Sequence, residues 1–145
     1  MAAELLLDTG ALVSLLDRDQ PQHAACLRVF EDWTGPVVST EAVLTEAAHL
    51  MARVDGGIAK CVEFFLAGGA VLVPTSARSL KRAHTLIQKY ADQPMDFADA
   101  SLVALAEEIG TSRILTTDRR DFSVYRLNGR RAFDILPGSA KTLGQ

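Results

Sequence analysis

Four acidic residues stand where an acid is costly or conspicuous: Asp8, Glu46, Asp99 and Asp118. Asp8 closes the apolar run Leu5-Leu6-Leu7, and Asp118 closes Ile114-Leu115-Thr116-Thr117. Asp99 falls within Pro94–Ala106, which reads as the start of a helix. At about 100° per residue it shares a face with Leu102, Val103 and Ala106, with Ile109 at the edge, while Glu107 and Glu108 turn toward solvent. Glu46 lies at the margin of a second helical stripe, Val43, Ala47 and Leu50. A carboxylate beside a core stripe costs free energy unless it is paired, hydrogen-bonded or bound to a cation. Carboxylates brought together repel one another until a proton or a cation relieves them. An all-oxygen set without His or Cys in the pattern suits Mg²⁺ or Mn²⁺.

Taken singly, each acid has an ordinary role open to it. Asp8 suits a helix N-cap, Asp118 a turn, Glu46 a partly exposed or ion-paired position and Asp99 a buried arginine partner. One shared site accounts for all four at once. Asp96, three residues before Asp99, is a cap, a further acid of the pocket, or both. Asp121 stands in the same relation to Asp118.

The elements that must position these acids alternate between strand and helix patterns. The short, nearly continuous apolar run Glu4–Leu7 suits a strand buried on both faces of a parallel sheet, and Val37-Val38, Val71–Val73 and Ile114–Thr117 read as further short strands. Helical patterns span Ala11–Leu16, His23–Trp33, a stretch from Ser39-Thr40 to about Arg53, Ile58–Leu66, a stretch capped by Thr75 and reaching Tyr90, and the Asp99 helix ending at Gly110. Asp118 to Asp121 is a turn or a single helical turn, and Val124–Arg126 or Ala132–Ile135 supplies an edge strand around the Asn128-Gly129 turn. This alternation predicts a single α/β domain over residues 1–145 with a small, mostly parallel sheet of four or five strands and a loosely ordered tail after about Pro137. In such a sheet ligands gather beyond the carboxyl ends of the strands, where Asp8 and Asp118 fall.

Composition bounds the function. At 145 residues, 48% apolar and 23% charged, the chain can bury one core. It has no run of about 20 apolar residues for a membrane span, and its first residues lack the basic region of a signal peptide. Cys26 and Cys61 lie in helical patterns without a CxxC motif and read as buried thiols, so a reducing, cytoplasmic setting is expected. The net charge of −3 is uneven: residues 1–75 carry 4 Lys+Arg against 10 Asp+Glu, and residues 76–145 carry 11 against 8. His23, His49 and His84 sit in separate helical patterns with no HxxxH spacing, and neither a phosphate loop nor a nucleophile elbow occurs. Asp8 would serve a haloacid-dehalogenase-like phosphatase or a response-regulator receiver. The first wants a second Asp where Gly10 stands, and the second a central acceptor where Val73-Pro74 stands.

The pieces Leu5-Leu6-Leu7-Asp8-Thr9, Ser39-Thr40 with Glu46, Asp99–Ala106 and Leu115-Thr116-Thr117-Asp118 with Asp121-Phe122 together resemble the PIN-domain ribonucleases, and among them the VapC-type toxins of toxin–antitoxin pairs. The resemblance covers about residues 4 to 136 and rests on order and spacing rather than on any one piece. It implies a three-layer α/β/α sandwich and an endoribonuclease holding one or two Mg²⁺ or Mn²⁺ ions on Asp8, Glu46, Asp99 and Asp118. Asp96 is an extra acid at that site, and the hydroxyls of Thr9 and Thr117, with Asp121, are supporting groups. It further implies an RNA substrate, a small antitoxin partner and a homodimer. Six arginines lie between Arg113 and Arg131, and Arg119 and Arg120 directly follow Asp118, placed to hold an RNA backbone or to serve as a solvated or antitoxin-binding surface. Of the nearby aromatics, Phe97 and Phe122 are expected in the core, and Tyr125 is left open. A catalytically idle PIN-like RNA- or protein-binding module is the alternative.

Overall fold

Leu5–Leu7, three consecutive leucines with no exposed surface, form strand β1 at the centre of the molecule. The computed structural model describes residues 3–138, so the tail expected after Pro137 lies almost wholly outside the described residues. From β1 the chain runs through helix α1 (Thr9–Leu16) and α2 (His23–Asp32) to strand β2 (Val37–Thr40). It continues through α3 (Glu41–Met51) and α4 (Gly57–Leu66) to β3 (Val71–Val73), then α5 (Ala77–Lys89), α6 (Phe97–Ile109) and β4 (Arg113–Leu115). A short α7 (Arg119–Phe122), a two-strand hairpin of β5 (Arg126–Leu127) and β6 (Arg131–Ala132), and β7 (Asp134–Leu136) complete it.

The main sheet has five strands in the order β3-β2-β1-β4-β7, every pairing parallel. The chain therefore winds one way from β1 to β3 and the other way from β4. Right-handed crossovers put α1–α4 on one face and α5–α6 on the other. Contacts agree: α1 packs against α2, α3 and α4, while α5 packs on α6. The winding reverses between β1 and β4, and a crevice opens at such a switch point.

Several boundaries differ from the sequence-based expectation. The first helix begins at Thr9, directly after Asp8. Ser76 rather than Thr75 caps α5, because Ser76 and Ser79 exchange side-chain-to-backbone bonds in a capping box. The buried stripe of α3 is Val43, Ala47 and Met51, a strict four-residue spacing that leaves Leu50 exposed. Glu107 is not a solvent residue: α5 packs over it, and Arg82 grips both its oxygens at 2.6 and 3.0 Å. Both alternatives for the C-terminal strands occur, one as the hairpin and one as edge strand β7. Helix α6 is buried from Ala98 to Ala106 around its whole circumference; four alanines in that run keep it thin enough to lie against the sheet and α5 together.

Leu6 sits mid-strand with neighbours on both sides, and truncation leaves a cavity that rigid flanking strands cannot fill. Leu6→Ala should cost about 2–5 kcal/mol in urea unfolding. Leu66→Ala, at a site 81% exposed, should stay within about 0.5 kcal/mol.

Candidate active site

A pocket of about 260 Å³ opens at the carboxyl ends of β1 and β4, lined by Asp8, Thr9, Gly10, Glu46, Asp96, Asp99, Thr117, Asp118 and Asp121, with Leu50 and Pro94 at its margin. All the acids singled out in the sequence thus face one space. They are delivered by four segments: the end of β1, helix α3, the start of α6 and the start of α7.

Asp8 follows β1 and occupies the N-cap position of α1, but its side chain makes no cap bond. It accepts instead from Thr116 Oγ1 at 2.6 Å, across the switch point. Thr116 Oγ1 in turn accepts from the Asp118 N–H at 2.9 Å. The fourth strand therefore ends at Leu115, earlier than expected: Thr116 uses its hydroxyl to tie two acids together. Asp99 is 9% exposed, in the first turn of α6, and accepts from the Tyr125 hydroxyl at 2.9 Å through Oδ2. Asp96 caps the same helix, Oδ1 accepting from the Asp99 N–H at 2.8 Å. Asp118 caps α7, Oδ1 accepting from the Asp121 N–H at 3.1 Å. Each of the four aspartates commits one oxygen to a scaffold donor.

Glu46 is half-buried on α3. Its helix is held in register by Thr40, whose Oγ1 accepts from the Val43 N–H and shares a 2.8 Å bond with Ser101 of α6. Ser39 Oγ donates to Leu7 O, which joins the ends of β1 and β2. The Thr9 hydroxyl is buried without an ordinary hydrogen bond among the described residues, yet lies near enough to Glu46 to favour its ionised form. Gly10 lies close against Thr117: a Cβ there would meet Thr117 Oγ1 and force that hydroxyl to turn aside.

Burial and mutual repulsion show in the acidities. Asp99 is pushed up to about 8, chiefly by burial, then by Asp8 and Asp96. Asp8 is raised to about 6, again by burial, with Asp118 and Glu46 adding to it and the Thr116 hydroxyl opposing. Glu46 is raised by burial and by Asp96; Asp121 by burial and by Asp118. Burial and Asp99 hold the Tyr125 phenol in its neutral, donating form.

Sequence reasoning missed Thr116 as an anchor and left Tyr125 open. Tyr125 is fully buried in an aromatic cluster, 5.2 Å from the Tyr90 ring and 5.1 Å from the Phe122 ring. A buried tyrosine must place its hydroxyl on a partner, the one signal that pointed there. Phe122 is in the core as expected, but Phe97 is 41% exposed, because as the first residue of α6 it projects past the packed turns. Arg119 is committed elsewhere: its guanidinium donates to Pro137 O at 2.6 Å and steadies the end of β7. Arg120 lines a hollow of about 390 Å³ that shares Asp118 and Asp121 with the acid pocket.

The donor set is entirely hard oxygen, which fits a small divalent cation. Among the described residues no three acidic, His or Cys side chains are already drawn together at ion-binding separations. Side-chain rotation would have to close the set around an ion, as repulsion between bare carboxylates requires.

Comparisons with known proteins follow the same geometry. A family model described as PIN domain matches residues 5–127. The chain is 36% identical over 137 residues to Ribonuclease VapC26 of Mycobacterium tuberculosis, covering 92% of this chain and all of that one. Among solved structures, Mycobacterium tuberculosis VapC20, a sarcin-ricin-loop-cleaving toxin, superposes with a TM-score of 0.68 at 18% identity, over 76% of this chain and 86% of that one. A toxin–antitoxin complex from Klebsiella pneumoniae gives 0.62 at 18% identity, over 83% and 91%. VapBC2 of Rickettsia felis, bound to a DNA fragment from its promoter, gives 0.66 at 12% identity, over 91% and 98%.

The raised carboxyls set a pH dependence. Both ionise near 3.8 in an unfolded chain and hold their protons to about 6 and about 8 when folded. The folded state binds the extra protons in that window, so the stability this contributes is present below about pH 4 and is lost as pH rises toward 8. The ion-free protein should melt at falling temperature from about pH 5 to 8, with Asp99→Asn flattening the upper part. Added Mn²⁺ should raise the melting temperature far more at pH 8 than at pH 5.5, because it competes with those protons.

Proposed function

Since the chain belongs to the PIN-domain family, we propose that it is a metal-dependent endoribonuclease, the toxin of a toxin–antitoxin pair acting in the cytoplasm. One observation carries the reading: Asp8, Glu46, Asp96, Asp99 and Asp118 line a single pocket at the switch point of the sheet. With Asp121 there are six acids at one mouth, and by themselves they repel a phosphodiester. A bound Mg²⁺ or Mn²⁺ would reverse that field, acidify a water and steady the leaving oxygen.

Asp8 and Asp99 are the principal holders of the ion, being the most buried of the set. Thr116 and Tyr125 fix one oxygen of each, so it is the free oxygens and the outer acids that would have to turn toward an entering ion. Glu46 and Asp118 complete the pocket, and either can take the proton from the attacking water. Water attacks phosphorus as it gives up its proton, a new P–O bond forms, the bond to the leaving ribose oxygen breaks, and that oxygen takes a proton from solvent water to leave as a hydroxyl. Asp96 combines two tasks, capping α6 and adding charge to the pocket. Arg120, at the Asp118 side, supplies positive charge for the RNA backbone. Arg119 has a structural share through Pro137.

For protein partners, helix α4 offers Ile58, Val62 and Leu66, an exposed apolar stripe at four-residue spacing. It is a suitable face for the antitoxin or for a second copy of the chain.

Purified protein should cleave structured RNA with Mn²⁺ and stop with a chelator. Asp8→Asn and Asp99→Asn should each lose at least about a hundredfold, and Thr116→Val, which removes both the anchor of Asp8 and the acceptor of the Asp118 N–H, about ten- to a hundredfold. Equal cleavage by wild type and Asp99→Asn, measured on the same RNA, would remove the basis of the reading.

A further inference from the structure

A second groove adjoins the acid pocket. It holds about 870 Å³ and is lined by Glu41, Ala42, Thr45, Glu46, His49, Thr75, Asp96, Phe97 and Ala98. Glu46 and Asp96 belong to both spaces, so the groove lies directly beside the pocket. On the other side, the hollow beside Arg120 shares Asp118 and Asp121 with the pocket. The three spaces adjoin through shared acids, Arg120 lining one outer space and the exposed Phe97 ring the other.

The two ends differ in what they can accept. The Arg120 end suits phosphate. The Phe97 end carries Glu41, Glu46 and Asp96, which repel phosphate but accept hydrogen bonds from N–H groups. Phe97 is a large ring left 41% exposed at the first position of α6, in a groove wide enough for a nucleobase. A flat, uncharged group with N–H donors along one edge is complementary to such a place. Glu41 is exposed in the first turn of α3 and belongs to no ion pair or side-chain hydrogen bond among the described residues. A carboxylate matches the guanine edge, whose ring N–H and amino group point the same way and can be taken by its two oxygens.

We propose that this groove is a nucleobase subsite: Phe97 stacks the base next to the scissile phosphate, and Glu41 selects guanine through its N–H edge. The proposal rests on the nuclease reading above and adds a sequence preference to it. Neither Phe97 nor Glu41 belongs to the ion-holding set, so they act on binding and choice of site rather than on the chemical step.

The test uses short RNAs of one sequence that differ at the base flanking the cleavage site: guanine, hypoxanthine, adenine, uracil or no base. Wild type should favour guanine, with KM lower by roughly tenfold than for the abasic strand, the size of an ordinary base–aromatic stack. Phe97→Ala should raise KM for the guanine strand by a similar factor with kcat within about twofold, and Phe97→Trp should restore it. Loss of the base and loss of the ring should not add when combined, as two sides of one contact require. Glu41→Gln should erase the preference for guanine over hypoxanthine, which lacks the amino group. Unchanged KM and base preference in Phe97→Ala would overturn the proposal while leaving the nuclease reading intact. Weakened antitoxin binding by that variant, with RNA kinetics unchanged, would give the groove to a protein partner and overturn it likewise. No cleavage of any strand by wild type with Mn²⁺ would overturn both.

Discussion

Two buried carboxylates, Asp8 and Asp99, set the terms for this molecule. Each is surrounded by other acids, and burial has pushed both toward the neutral form. Packing apolar residues in their places would cost less. The fold nevertheless presents them from different elements, one from the end of the central strand and one from the most buried helix. Neither has an arginine or lysine partner: the ion pairs among the described residues are Arg53–Asp17 and Arg82–Glu107, both elsewhere. Hydroxyl groups orient these acids without neutralising them, and that leaves their charge available to a cation.

The scaffold around them serves to make that orientation unique. Thr116 reaches from β4 to Asp8 and also receives the Asp118 N–H, so two strand ends and α7 are set by one hydroxyl. Tyr125 is wedged between Tyr90 and Phe122, and Phe122 stacks edge-on with Phe133 at 5.5 Å. The phenol that bonds Asp99 therefore has little freedom of its own. Tyr90 accepts from the Arg126 N–H, which ties the small hairpin into the same cluster. Caps are used twice over: Asp96 and Asp118 satisfy helix N-termini and still line the pocket. A cap bond occupies one oxygen, and a carboxylate has two.

Much of this was legible in the sequence, for a physical reason. Asp99 amid Leu102, Val103 and Ala106 violates the pattern of its own helix, and a violated pattern is visible without coordinates. The strand–helix alternation likewise declared a parallel sheet, and strand-end acids then had to share an edge. What was not legible depends on contacts distant in sequence. Thr116 and Asp8 are 108 residues apart, and Tyr125 and Asp99 are 26 apart. No periodicity marks a hydroxyl whose partner lies in another element. Phe97 was misjudged for a related reason. Its type and its helical neighbours suit the core, but the first residue of a helix has no preceding turn to pack beside. Glu107 went the other way, because Arg82 lies on another helix.

An acidic pocket in a protein of net charge −3 has still to attract a polyanion. The relevant field is local, since charges beyond about 8–10 Å are largely screened at physiological salt. Within that range the pocket presents its acids together with Arg120 on the α7 side. The remaining arginines of residues 113–131 continue along the following segment, where Arg126, Arg130 and Arg131 belong to the hairpin region. Of these, Arg126 is spoken for, since its guanidinium donates to the carbonyls of Ser123, Val124 and Tyr125. Approach from the Phe97 side meets Glu41, Glu46 and Asp96 first, and there only an uncharged base gains by entering. Around the acids the charge is therefore uneven in the folded chain as well, with Arg120 lining the neighbouring space on one side and Glu41 the one on the other.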